Sequence, residues 1–286
     1  MAKKDYKRFG RFSDVRIGFV AELFDISDEA LRKYEQNGLI FPDRSQDSQY
    51  RFYDYMDIVM MLYSRLYTGL GFSLKETSCL VNNCGIDQIK CAYEKQLEAK
   101  KRQLELLHKQ LDFAEHLIND MERIPEMLGK CEFSMRPGIF RITLPFVEEL
   151  LTKPKHCELL KQWISYLPFT MISTTYSREA LNNRELSQKA YCAGSEGGLG
   201  ILEQYASLFS VVADDIVRYY PPVPAIHTIT HGNNQGLSPD FTPVYGFMEN
   251  HHLRASDDAV SFGIVCNNFG NEFDRYCHLW VPYEKA

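Results

Sequence analysis

The sequence predicts three parts in order: an α-helical winged helix-turn-helix head, one long helix, and a mixed α+β domain. Three observations carry this prediction. Between residues 15 and 72, apolar residues at helical spacing are broken by helix caps and one alternating aromatic run. A segment without Pro or Gly then extends over 87–122, and beyond Cys131 the pattern changes to short β-like runs. At 286 residues the chain exceeds one ordinary domain and can bury two cores.

In the head, Ile17, Val20, Ala21 and Phe24 fall at i, i+3, i+4 and i+7, the stripe of a short amphipathic helix. Ser27 can cap a second helix, with Asp28 and Glu29 suiting the positive end of its dipole. Asn37-Gly38 ends it. Two short helices joined by a tight turn make a helix-turn-helix candidate. Leu39-Ile40-Phe41-Pro42, a polar loop and the alternating Tyr50-Arg51-Phe52-Tyr53 supply a wing. Asp54 then opens a helix that reaches Gly69, and Ser73 with Glu76 forms a capping box for another over 73–81.

In the long segment, Tyr93, Leu97, Lys100, Leu104, Leu107, Leu111, Ala114, Ile118 and Met121 alternate in steps of four and three, a heptad seam. Such a stripe needs a partner helix rather than water. A second copy of the chain is the simplest partner, and the chain's own C-terminal domain is the alternative. Pro125 and Gly129 are expected to end the helix. Beyond it, β-segments are expected at 138–143, 171–175, 225–231, 243–249, 260–266 and 276–281, with a helix at 158–166. The expected divisions are a basic arm (1–14), the head (15–83), the long helix (84–128) and the C-terminal domain (131–286).

Charge narrows the partners. Residues 1–80 carry 12 basic and 12 acidic side chains, which argues for a few placed phosphate contacts rather than nonspecific wrapping of nucleic acid. Residues 131–286 carry 12 and 17, so the acid excess lies at the C-terminal end. No apolar run approaches a membrane span and no signal peptide is read, so a cytoplasmic protein without membrane contact is expected. The eight cysteines include no CxxC pair and are read as thiols, and no metal or cofactor is expected.

Arg16-Ile17-Gly18, Ala30 to Glu35, Asn37 to Ile40, Tyr50 to Tyr53 and Leu70 to Leu74 together resemble the MerR family of transcription regulators in order and spacing. Tyr219-Tyr220-Pro221-Pro222 and the terminal His278 to Pro282 resemble the GyrI-like effector-binding domain of its multidrug-sensing members. The resemblance implies a homodimer joined by an antiparallel coiled coil, a palindromic promoter DNA site, RNA polymerase at that promoter, and activation by DNA distortion when a small-molecule effector binds. It also implies two similar halves in the C-terminal domain with a ligand cleft between them, the second half here lacking its helix.

By the same resemblance, Arg32 and Tyr34 contact DNA, and the wing residues Tyr50, Arg51 and Tyr53 meet phosphates. Arg16, Ser27, Lys33 and Arg44 complete the candidate DNA-binding set. For the effector, the aromatics Tyr166, Tyr176, Tyr191, Tyr219, Tyr245, Phe247, Tyr276 and Trp280 are candidates, favouring a planar or apolar ligand. Glu249 joins them as a possible substitute for the buried strand Glu of multidrug regulators. Two alternatives stand beside this reading: a metal or thiol-reactive sensor using Cys84 and Cys131, and a GyrI-like hydrolase using Glu249 with His227 or Tyr245. No catalytic residue is expected.

Overall fold

A computed structural model describes residues 15–44, 50–144, 154–186, 195–233, 239–270 and 272–286. The chain divides into two compact units at Leu104/Glu105, inside its longest helix.

The first unit begins with β1 (Val15–Arg16), α1 (Ile17–Leu23) and α2 (Asp28–Gln36). The Ser27 hydroxyl accepts the Ala30 amide at 3.1 Å, satisfying one free donor of the first turn of α2. At its other end Gly38 takes φ +67°, and the Gly38 and Leu39 amides bond back to the Glu35 and Tyr34 carbonyls. This pair of hydrogen bonds satisfies two of the last carbonyls and requires the left-handed geometry glycine adopts freely. β2 (Asp43–Arg44) and β3 (Arg51–Tyr53) pair antiparallel, and β1 joins the other side of β3. α3 (Tyr55–Gly69) starts on a reciprocal Asp54/Asp57 capping box, and α4 (Leu74–Asn83) on one from Ser73 and Glu76. Asp57 also accepts the Phe41 amide at 2.8 Å, tying the strand-bound chain to α3. Val20, Leu31, Tyr34, Leu39, Ile40, Tyr53 and Met61 form the buried core of this unit.

α5 (Ile86–Met127) is longer than the 87–122 segment suggests and runs through Pro125. Proline sits in the last turn, where its missing amide removes a single backbone bond, so the helix closes only at Leu128-Gly129, Gly129 having φ +72°.

The second unit contains β4 (Glu132–Arg136), β5 (Ile139–Thr143), α6 (Pro154–Ser165), β6 (Thr170–Tyr176), α7 (Arg178–Asn182), β7 (Ser195–Leu202) and α8 (Glu203–Ala206). A second series follows: β8 (Val217–Tyr220), β9 (Val223–Asn233), α9 (Thr242–Asn250), β10 (Leu253–Ala255), β11 (Ala259–Phe269) and β12 (Glu272–Lys285). Among the described residues they make a nine-stranded sheet ordered β4-β9-β12-β11-β6-β7-β5-β8, with β10 pairing β12 off this path. The order reads symmetrically about the β6–β11 junction. Each half contributes a strand, a helix and two further strands, as β5-α6-β6-β7 and β9-α9-β11-β12. The strand preceding each half pairs in the other: β4 lies on β9, and β8 on β5.

This arrangement corrects two expectations. Residues 243–249 are helix α9, not a strand, and the second half therefore has its helix. Phe241, Val244, Tyr245 and Met248 stand at i, i+3, i+4 and i+7. Three of them, Phe241, Val244 and Met248, are buried against Tyr176, Ile226, Leu279 and Val281. Pro243 occupies the first turn, where its lost amide costs nothing.

Gly246 lies mid-helix with open space where a Cβ would stand. Gly246→Ala should raise the unfolding free energy by about 0.5–1 kcal/mol in urea titrations, and Gly246→Val should raise it by less. A strand would rank Val above Ala.

Candidate functional site

The exposed face of the first unit presents α2 and the wing. Arg32 and Lys33 are exposed in the middle of α2, and Lys33 is drawn to Glu29 one turn back at 3.5 Å. Arg16, Ser27, Arg44 and Tyr50 are also exposed, Ser27 with its hydroxyl committed to capping. Tyr34 and Tyr53, both expected at DNA, are core residues instead: Tyr34 packs with Leu31 on the inner stripe of α2, and Tyr53 is 1% exposed. Burial, reinforced by the Glu35 charge, pushes the Tyr53 phenol up to about 12.

Glu35, which the sequence reading passed over, organises the charges of this face. Its two carboxylate oxygens accept Arg44 at 3.0 Å and Arg51 Nε at 2.8 Å, so α2 holds both wing arginines. Burial opposes ionisation of Glu35, but the hydrogen bonds from Arg51 and then Arg44 outweigh it and hold its carboxyl below the usual carboxylate range. Its position could have been found from the one-turn offset between Glu35 and the outer-face Arg32, with two basic wing residues opposite.

In the second unit, a cleft of about 230 Å³ opens between the C-terminal half of α5 and the sheet. Phe113 and Leu117 of α5, Met135 of β4, Tyr205 of α8, Phe262 of β11 and Trp280 of β12 supply its apolar lining. His116, Asp120, Arg123, Gln204, His227 and His278 supply the polar lining. Trp280 faces His227 across the β9–β12 ladder, and its ring stacks on both histidines at centroid distances of 5.4 Å and 5.0 Å.

Two hydrogen bonds and one ion-pair contact cross this wall. Glu132 Oε1 lies 3.0 Å from His227 Nδ1, His227 Nε2 lies 3.0 Å from His278 Nδ1, and His278 Nε2 lies 3.1 Å from Asp120 Oδ2. Arg123 donates to the same Glu132 oxygen at 2.9 Å. The bond from His227 holds the Glu132 carboxyl below its usual range; burial opposes this and Arg123 adds to it. Burial pushes His227 below the usual imidazole value, with Glu132 opposing. Apart from Trp280, the described aromatic candidates lie outside this lining. Tyr166 stacks on Phe209, and Tyr176 is buried beside Phe241. Tyr219 donates to Glu203, Tyr245 lies under Arg184, Phe247 packs on Phe133, and Tyr276 stacks on His231. Glu249 is exposed on α9 and paired with Arg184, and Tyr191 lies outside the described residues. The only hint of the histidine wall in the sequence is a pair of imidazoles inside otherwise apolar strand patterns, His227 and His278.

The seven described cysteines are free thiols, and among the described residues no group of three or more His, Cys, Asp or Glu side chains is arranged to hold a metal ion. No described helix is long and apolar enough to cross a membrane.

The pH dependence of Glu35 follows from its lowered carboxyl. The stabilisation from its ion pairs is complete above the unfolded carboxylate value and is lost as pH falls through the lower folded value. Glu35→Gln should therefore be less stable than the parent at pH 6, and the two should converge towards pH 3, as read from urea midpoints.

Comparison with known proteins adds a match within the first unit. Residues 16–53 match the family model described as MerR family regulatory protein. No curated protein matches the sequence. Among solved structures, the EcmrR–DNA complex of EcmrR-RPo is 14% identical, with 95% of this chain and 100% of that one covered at a TM-score of 0.32. The EcmrR C-terminal domain is 11% identical, over 55% of this chain and 98% of that one, at a TM-score of 0.34. The N-terminus of MtaN, the Bacillus subtilis multidrug transporter activator, is 21% identical, over 36% and 97%, at a TM-score of 0.33. At such TM-scores the superpositions do not establish a shared fold. The family match and the described elements agree on one point: this chain carries a MerR-type helix-turn-helix at its N-terminal end, followed by a long helix and a sheet-rich C-terminal domain.

Proposed function

We propose that the protein is a homodimeric, effector-responsive transcription regulator that reads a palindromic promoter through α2 and the wing. The observation that carries this is the MerR match over 16–53 coinciding with a capped helix that exposes Arg32 and Lys33 beside a wing bearing Arg44 and Arg51. An exposed helix face can enter the major groove, where side chains distinguish all four base pairs, while the wing arginines meet phosphates.

The dimer rests on the seam of α5. Leu97, Leu104, Leu107, Leu111 and Ile118 are each more than half exposed, an apolar stripe that a second copy would cover. Opposite residues Phe113 and Met127 are buried in the chain's own second unit. The helix thus also packs on its own C-terminal domain, and the seam remains for the partner. The reading of the second unit as a GyrI-like effector domain is supported by its two similar halves and by a cleft with aromatic walls. In this reading a planar, largely apolar effector in the cleft favours the dimer conformation that distorts promoter DNA and aligns it for RNA polymerase. Such an effector acts only by binding that conformation more tightly than the other.

Selection from a randomised duplex pool should enrich a palindrome with the parent protein. Arg32→Ala should lower affinity for that palindrome by about tenfold to a hundredfold while leaving nonspecific binding and dimerisation in place. Unchanged selectivity would sink the assignment of α2. For the dimer, Leu107→Asp should shift the sedimentation coefficient to that of a monomer at micromolar concentration, with the circular dichroism of both units retained.

A further inference from the structure

We propose that Glu35 sets DNA selectivity without touching DNA. It fixes Arg44 and Arg51 in one arrangement, so that their phosphate contacts form in full only on a duplex that also seats α2. The proposal rests on the reading of α2 and the wing as the DNA face and names the residue that makes that face discriminate.

The wing strands create the problem that Glu35 resolves. Arg44 and Arg51 stand directly opposite each other across the β2–β3 ladder, which has only two residue pairs. Like charges at opposed positions of an antiparallel pair repel and destabilise it. Glu35, in the last turn of α2, reaches both: one carboxylate oxygen accepts Arg44 Nη2 at 3.0 Å and the other accepts Arg51 Nε at 2.8 Å. A repelling pair thereby becomes a bracket anchored on the helix that carries Arg32. A guanidinium has five N–H donors, so the single bond that each arginine gives Glu35 leaves others for phosphate oxygens. The Glu35 and Arg51 side chains are only 21% and 25% exposed, against 79% and 58% for Glu29 and Lys33, so salt weakens the bracket less than that surface pair.

Charge and position act differently on DNA. Lys33 is paired with Glu29, and Arg44 and Arg51 with Glu35; Arg32 is the one basic side chain of α2, β2 and β3 without a carboxylate partner among the described residues. The residue that reads bases is thus uncommitted, whereas those that meet phosphates are held. The negative charge of Glu35 opposes the phosphates of any duplex, whatever its sequence. The bracket matters only where α2 enters the groove, because there the wing arginines must meet phosphates at a set distance from the bases that Arg32 reads. Fixing two long side chains before contact removes their ordering entropy from that complex alone. Charge lowers every affinity, and position restores only the seated one.

The test separates the two effects in the full-length protein with three variants. Glu29→Gln removes one negative charge from α2 and leaves the bracket; Glu35→Asp keeps the charge and withdraws the carboxylate by one methylene; Glu35→Gln removes both. Fluorescence anisotropy over a series of KCl concentrations gives affinity for the palindrome that the parent enriches and for a scrambled duplex of the same composition. Circular dichroism at the assay temperature checks that each variant is folded. Glu29→Gln and Glu35→Gln should bind the scrambled duplex about threefold to tenfold more tightly, with a salt slope steeper by about one per head. Glu35→Asp should leave that affinity and slope unchanged. Both Glu35 variants, and not Glu29→Gln, should lose selectivity, the ratio of palindrome to scrambled affinity falling about tenfold. A merely structural role for Glu35 would lower both affinities together, and that result overturns the proposal. So does selectivity retained in both Glu35 variants, or lost equally in Glu29→Gln. Failure of the parent to enrich any palindrome overturns instead the reading of α2 and the wing as the DNA face, and the role of Glu35 with it.

Discussion

The β9–β12 ladder is the constraint on which the second unit depends. Its nine residue pairs run from Ala225–Pro282 to Asn233–Asp274, inside a sheet covered on both faces at its centre. Ile226, Leu279 and Val281 project to the side filled by α9, so the alternating side chains His227, His278 and Trp280 must project to the other. A buried imidazole left without partners costs about 1–3 kcal/mol. The ladder supplies one contact, between the two imidazoles themselves, and its amides and carbonyls are otherwise paired. The outer ring nitrogens find their partners on the edge strand β4, through Glu132, and on α5, through Asp120. Sheet register thereby dictates that the last turns of α5 lie against the sheet.

The first unit solves a smaller version of the same problem. The inner stripe of α2 packs Leu31 and Tyr34, which leaves Arg32 and Lys33 outside, and Glu35 at the border spans to the two wing arginines. The wing is therefore held in place by side-chain charge as much as by its short ladder of two pairs. α5 shows the division of labour at larger scale: one face is spent on its own sheet, through Phe113 and Met127, and the leucine seam is left over.

Much of this was legible in residue order, for reasons specific to each element. Ser27, Asp54, Ser73 and Gly38 act within one helical turn, so α2, α3 and α4 could be placed from local chemistry alone. α9 is hard to read from sequence because Pro243, Gly246 and several aromatics imitate an edge strand, although Phe241, Val244, Tyr245 and Met248 have helical spacing. Tyr34 and Tyr53 show the limit of assigning contacts by family position: a tyrosine can serve the core through its ring, and here both do. The histidine wall was not legible, because its four members come from α5, β4, β9 and β12, and nothing local relates Asp120 to His278. Of the described aromatic candidates only Trp280 reaches the cleft, since most of those rings fill cores or cover edges.

The exchanged outer strands have a consequence for how the chain is made. β4 leaves the ribosome directly after α5, but its hydrogen-bonding partner is synthesised much later, Glu132 and His227 being 95 residues apart. β8 in turn closes back onto β5, which was made long before it. During synthesis β4 must wait with an unpaired edge, and neither half can finish alone. Because such distant pairings have to bear the entropy of loop closure first, the sheet should assemble slowly and nearly all at once. A nascent chain halted before β9 would carry a complete first unit and no finished sheet.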